Sequence, residues 1–413
     1  MTRGSEHKAE TLVTRLGRDP ARQSHAVNPP VYHASTLIFD SVAEFEAASA
    51  AKMEKGALFY GRYGMPTTHA LESAVAELEG GYGAIAVSTG LAAITCALLT
   101  FLKAGDHVLV TDSAYRPTRR VCDGLLSRFG IETGYFDPLI GAGIVELIRP
   151  NTRLVYLESP GSITFEVQDV PAIADAAHRA GLVVLFDNTW ASPLNFQPFA
   201  HGVDVSIHAA TKYIVGHSDA MLGMIICREA HYERLRRTAI DLGHSAAPDD
   251  VYLALRGLRT LAIRMARHHE SALEVATWLQ GRPEVARVFY PALPGDPGHD
   301  LWRRDFTGAS GLFGVELTPC TKAAVAAMLD GLDLFSLGVS WGGFESLVLP
   351  TTLAGNRTAT RSETSGPLVR FHIGLEDPGD LIADLEDGFA RLNRSIEAPV
   401  RDPAPAAAEV GVS

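Results

Sequence analysis

The sequence predicts an α/β protein: a doubly wound, mostly parallel sheet domain followed by a smaller C-terminal α+β domain. Between about residues 65 and 208, short and almost wholly apolar runs alternate with longer helical stretches, the pattern of parallel strands covered on both faces. Near Pro248 the pattern changes to long amphipathic helices separated by shorter strand signals. Composition agrees, since 46% of the 413 residues are hydrophobic and 20% charged, enough to build large cores and too apolar for global disorder.

Residues 1–60 read as an arm. They hold an extended piece around Pro29 and Pro30 and a helical stretch at 41–54, too loose to form a core alone. The regular pattern then gives a helix at 67–78, a strand at 84–88 and a helix at 91–102. A strand at 106–111, a helix at 117–129 and a strand at 154–158 follow, then a helix at 170–180 and strands at 182–187 and 203–208. These place the sheet domain at 61–248. In the second domain, 249–395, Asp249 and Asp250 are positioned to cap one long helix carrying Leu253, Leu258, Leu261, Met265, His269, Leu273 and Trp278. Strands at 285–290 and 311–317 and helices at 322–329 and 377–392 complete it. Residues 396–413, with Pro399, Pro403, Pro405 and an Ala-rich end, read as a disordered tail.

The formal charge of −12 argues against a nucleic-acid partner, which needs a basic surface. Cys96, Cys122, Cys227 and Cys320 lie far apart and form no C-x-x-C pair, so neither a zinc ribbon nor a dithiol motif is expected, and no metal. The first thirty residues carry charges throughout, with no apolar signal core, and no uncharged apolar run is long enough to span a bilayer. A cytoplasmic protein without a membrane partner is expected.

Gly81-Tyr82-Gly83-Ala84-Ile85-Ala86 fits the dinucleotide pattern G-x-G-x-x-G/A. That pattern needs a strand before it and a helix after it, and here the order is reversed. A better phosphate candidate is Ser88-Thr89-Gly90-Leu91, where a strand turns into a helix whose first N–H groups lack intrahelical partners. An ordinary helix cap explains the same residues equally well. Asp187 ends an apolar strand at the sheet edge where open α/β proteins bind ligands, and Lys212 follows the next strand. A desolvated lysine can form a Schiff base with an aldehyde, and a buried Asp can keep a pyridine nitrogen protonated. Taken singly, each also reads as a turn former or a solvated rim residue.

Together with Tyr60-Gly61-Arg62-Tyr63, Ala114-Tyr115, Leu185-Phe186-Asp187-Asn188-Thr189, Ala210-Thr211-Lys212-Tyr213 and Val369-Arg370-Phe371-His372-Ile373-Gly374, these segments make the chain resemble the Cys/Met-metabolism family of pyridoxal-phosphate enzymes, of fold type I. The match runs from about residue 11 to residue 394. Within the family it most resembles the bacterial cystathionine β-lyase branch, through Ser340-Trp341-Gly342-Gly343-Phe344-Glu345-Ser346 and Gly216-His217-Ser218-Asp219-Ala220. The resemblance implies that Lys212 holds pyridoxal 5'-phosphate covalently, Asp187 pairs with its pyridinium and Tyr115 stacks on the ring. It further implies that Gly90, Leu91 and Thr211 bind the phosphate, joined by Tyr60 and Arg62 from a neighbouring subunit of a homotetramer. Ser340, Trp341 and Arg370 would contact a sulfur amino acid, Arg370 gripping its α-carboxylate.

The implied activity is α,β-elimination from cystathionine or another cysteine S-conjugate, giving a thiol, pyruvate and ammonia within methionine biosynthesis. The alternatives are a γ-acting relative, against which Trp341 speaks by narrowing the pocket, and a binding protein that has lost catalysis. Two positions depart from the family pattern: Ala209 stands where many relatives have a phosphate-binding Ser, and Val339 where some β-lyases have Tyr. His217 reads as structural, and His268 and His269 as a helix surface and its packed edge.

Overall fold

The computed structural model describes residues 7–21, 23–361 and 364–397. Seven strands form the large sheet: β1 (Gly83–Val87), β2 (His107–Thr111), β3 (Glu132–Phe136), β4 (Thr152–Glu158), β5 (Val183–Asp187), β6 (Val205–His208) and β7 (Gly223–Cys227). Their order is β1-β7-β6-β5-β4-β2-β3. Only β7 runs antiparallel to its neighbours, β1 and β6; every other pair is parallel. Side-chain alternation then divides each strand between two cores. Val155, Leu157 and Phe186 face one core, and Leu154, Tyr156 and Leu185 face the other beneath the helix Gly90–Phe101.

A second sheet has the order β10-β11-β12-β9-β8, built from β8 (Val285–Phe289), β9 (Leu312–Leu317), β10 (Ser336–Leu337), β11 (Leu347–Thr351) and β12 (Leu368–His372). Its Phe313 and Phe371 share a core with Phe186 and Leu157 of the large sheet and with Phe389 of the helix Pro378–Glu397. That helix runs through Glu397, past the expected boundary at 396, and residues 398–413 lie outside those described. In the arm, Val13 is buried in a third core with Leu71 and Leu255, whereas the helix Val42–Ala51 buries none of its residues.

Three local expectations are corrected. The stretch 117–129 is not one α-helix: Arg116–Arg120 is followed by a π-helical stretch, Val121–Leu126, a widening frequent near functional sites. The long helix expected from Asp249 is two, Pro248–Leu258 and Leu261–Gln280. At the break the N–H groups of Arg259 and Thr260 reach only three residues back (3.1 and 3.2 Å), and Arg264 Nη2 takes the Gly257 carbonyl at 2.8 Å. Asp249 and Asp250 occupy the first turn behind Pro248 instead of the cap, where carboxylates still favour the helix dipole. Lastly, His268 is not on a surface. Its helix is enclosed by two of the cores, and the ring is fully buried with Nδ1 donating to Ile373 O at 2.8 Å.

Cys96, Cys122 and Cys227 are buried and Cys320 partly so, all four as free thiols. Among the described residues no helix is long and apolar enough to cross a membrane.

Candidate active site

The parallel strands deliver their carboxyl ends to one edge of the sheet, and the sequence places polar residues just there. After β1, Thr89 caps the helix Gly90–Phe101 by accepting from Ala92 N at 3.0 Å, and intrahelical bonding begins at Ala93. Gly90 and Leu91 stand ahead of both. Gly90 is required by close approach: a Cβ there would lie 2.4 Å from that of Ala209. The departure at position 209 thus packs directly on the helix start. Thr211 has its hydroxyl engaged by the backbone of Leu222, accepting from N at 2.8 Å and facing O at 3.2 Å.

Asp187, the last residue of β5, is buried with Oδ1 accepting from Thr189 N (3.0 Å) and Thr189 Oγ1 (2.5 Å), and Oδ2 accepting from Tyr156 OH at 3.3 Å. Burial raises its proton affinity above the ordinary carboxylate value against the pull of these hydrogen bonds. Its register partner on β4 is Glu158, a second, partly buried carboxylate, whose proton affinity is raised by desolvation and by the charge of Asp187. Glu158 Oε2 accepts from Tyr115 N at 2.7 Å and so fixes the backbone that carries the Tyr115 ring. The Tyr115 phenol, 43% exposed, is raised in pKa by burial and by Glu158 and Asp187, with Arg370 opposing.

Lys212 lies in the turn after β6. Its Nζ donates to Ser340 Oγ and stands 5.3 Å from the centre of the Trp341 ring. Burial, aided by the Arg370 guanidinium and opposed by Asp187, brings the ammonium down to about 8. Ser340 and Trp341 belong to the β10–β11 connection, which doubles back beside the lysine: Ser340 has φ +93° and Gly342 φ +90°. A Cβ on Gly342 would lie 2.9 Å from Lys212 Cα. Arg370, on β12, donates through Nη2 to Ser340 O at 3.1 Å. Val339 is 88% exposed beside this turn.

Lys212, Asp187, Tyr115, Ser340, Trp341 and Arg370 therefore converge, with Gly90 and Leu91 behind them at the helix start. Tyr60 and Arg62 do not join them within one chain: Arg62 Nη1 donates to Ile240 O at 2.8 Å, and Tyr60 is half exposed. Sequence reasoning missed Glu158 and His372. Glu158 ends an apolar strand just as Asp187 does, so the same signal could have found it; His372 lay inside a quoted motif but carried no separate cue.

The donor set fits pyridoxal phosphate. It offers an amine with proton affinity near neutrality, a buried carboxylate with capacity left on Oδ2, a ring-bearing Tyr fixed by its backbone, and a helix start where a Cβ would not fit.

Residues 10–390 match the model of a family described as Cys/Met metabolism PLP-dependent enzyme. The chain is 48% identical over 394 residues to cystathionine beta-lyase MetC of Escherichia coli, covering 94% of this chain and 100% of that protein. It is 45% identical over 394 residues to cystathionine beta-lyase of Salmonella typhimurium, again covering 94% and 100%. Among solved structures, a cystathionine gamma synthase from Xanthomonas oryzae pv. oryzae in complex with aminoacrylate and cysteine superposes with a TM-score of 0.86 at 33% identity, covering 94% of this chain and 99% of that one.

Proposed function

Because the chain belongs to the Cys/Met metabolism PLP-dependent enzyme family and has its type I fold, we propose that it is a carbon–sulfur β-lyase that cleaves cystathionine to homocysteine, pyruvate and ammonia. The observation that carries this reading is Lys212, a partly buried amine brought down to about 8 and held between Ser340, Trp341 and Arg370. The β-lyase relatives match at 45–48% identity and the γ-synthase structure at 33%, which favours β- over γ-chemistry.

When bound, pyridoxal phosphate supplies a conjugated ring that draws electrons from the substrate Cα. Around it, Lys212 would hold the aldehyde carbon, Asp187 would keep the ring nitrogen protonated, and Tyr115 would stack on the ring. The N–H groups of Gly90 and Leu91, with Thr211, would hold the phosphate, joined by Tyr60 and Arg62 of a second copy of this chain. Arg370, whose Nη2 already donates to Ser340 O, would turn its guanidinium to the substrate α-carboxylate. Lys212 Nζ, freed when substrate binds, takes the Cα proton and hands a proton to the departing sulfur. A group whose pKa lies near the working pH can do both. Trp341, packed 5.4 Å from Tyr213, walls the pocket and limits the reach toward a second proton on Cβ.

We also propose a homotetramer arranged as a dimer of dimers, a cytoplasmic location and a place in methionine biosynthesis. The arm supports the first by exposing Ile38, Val42 and Phe45, and the free thiols support the second. The test is to incubate cofactor-loaded protein with cystathionine and identify the keto acid. Pyruvate with homocysteine is expected; oxobutyrate with cysteine would reassign the protein to γ-elimination.

A further inference from the structure

Behind the strained turn that faces Lys212 stands a histidine that no part of the mechanism above uses. His372 is on β12, two residues from Arg370, so both side chains project from the same face of the strand. Arg370 Nη2 holds the carbonyl of Ser340, and His372 Nε2 accepts from the N–H of Gly342 at 3.0 Å. One strand thus grips both ends of the Ser340–Trp341–Gly342 turn. The other ring nitrogen faces Glu345 O at 3.1 Å.

Backbone groups have fixed roles, and this settles the tautomer. Gly342 N–H can only donate and Glu345 C=O can only accept, so the ring is neutral with its proton on Nδ1. Burial keeps it neutral, with His268 packed at 5.3 Å, Tyr213 at 6.1 Å, and the cations of Arg370 and Lys212 nearby. No L side chain adopts φ +93° cheaply, so Ser340 must be held in that conformation by its surroundings. The purpose of the turn is visible in its product: the Ser340 hydroxyl rests on Lys212 Nζ.

We propose that His372 is a positioning residue for the lysine chemistry, its neutral ring locking the Ser340–Trp341–Gly342 turn so that the Ser340 hydroxyl stays on Lys212 Nζ and Trp341 stays against the pocket. The proposal rests on Lys212 being the reactive amine of the β-lyase reading. It predicts that losing the acceptor at Gly342 lowers kcat more than it changes KM, because substrate is still bound by Arg370.

The experiment compares H372L, which loses the acceptor, with H372Q, whose amide oxygen can still accept from Gly342, in cofactor-loaded protein. For H372L kcat is expected to fall on the order of 10²-fold, the scale of a small misplacement of a catalytic group. H372Q keeps most of wild-type kcat. In parallel, the visible absorbance of the bound cofactor is titrated with pH; Lys212 is faced there by Arg370 and Asp187, both unchanged in these variants. The midpoint moves in H372L and not in H372Q. In a Ser340→Ala background, H372L should cost less than it does alone, because its route to the lysine is already gone and only its hold on Trp341 remains.

Wild-type kcat and midpoint in H372L, equal impairment of H372L and H372Q, or full additivity with Ser340→Ala would each overturn the proposal. If H372L does not fold, H372N, which keeps the donor to Glu345 but is too short to accept from Gly342, replaces it. The absorbance titration needs no sulfur substrate. Protein that leaves cystathionine intact but shows the midpoint shift would therefore refute the substrate reading while supporting His372.

Discussion

Lys212 carries an energetic penalty until something takes its nitrogen. Its folded pKa of about 8 lies below the ordinary 10.5 of a free lysine. The sign follows from linkage: between these values the unfolded chain binds the extra proton, so stability rises with pH across that window, and below it the penalty is fully present. At 1.36 kcal/mol per unit the penalty is roughly 3 kcal/mol. Cofactor-free Lys212→Met should therefore be more stable than wild type at pH 7 in urea titration, with the gap closing as pH rises from 8 towards 10.5. A gap that ignores pH would show that the amine is not desolvated. At this scale much of the site was legible, because a lysine or an aspartate at the end of an apolar strand stands out in sequence. His372 did not, since what it does depends on a turn thirty residues away in the chain.

At the scale of elements, the most heavily used carboxylate among the described residues is Asp112, which ties the β11–β12 connection to the turn carrying Tyr115. It is fully buried and accepts from the N–H groups of Thr358, Ala359 and Thr360, from both threonine hydroxyls and from Arg119 Nη1 at 2.8 Å. Burial raises its pKa, but these hydrogen bonds outweigh it and hold the group below 3.8. Asp112→Ala strands a buried Arg119 and several donors, and should cost about 3–5 kcal/mol in chemical denaturation. The folded pKa is depressed, so the contribution is present above pH 3.8 and is lost as pH falls through the folded value. An Asp112→Ala protein as stable as wild type at pH 7 would contradict this. Of the strands that sequence patterning missed (β3, β7, β10, β11 and β12), β3 and β10 have a plain physical cause. In β3, Glu132–Phe136, only Phe136 is buried, because the strand sits at a sheet edge and has no need of an apolar run. β10 has two exposed residues and nothing for periodicity to register.

For the whole molecule, the open question is completeness of the site in one chain. Arg62 is held on Ile240 O and Tyr60 lies half exposed, so neither serves the phosphate of its own site in the arrangement described. If a second copy supplies them, cofactor loss should track subunit dissociation on dilution, followed by sedimentation velocity with absorbance at the cofactor band. Full retention of cofactor by monomers would remove Tyr60 and Arg62 from the site.

The antiparallel placement of β7 has a consequence for synthesis. β1 has one sheet neighbour, β7, and Gly83 pairs with Cys227. As the chain leaves the ribosome from its N-terminus, β1 waits for residues 88–222, roughly a third of the polypeptide, before it can enter the sheet, and the Gly90 helix start cannot be fixed beside Ala209 until then. Contacts this distant along the chain slow folding. Arg370 arrives later still. One chain's own share of the pocket is therefore assembled only once β12 has been made.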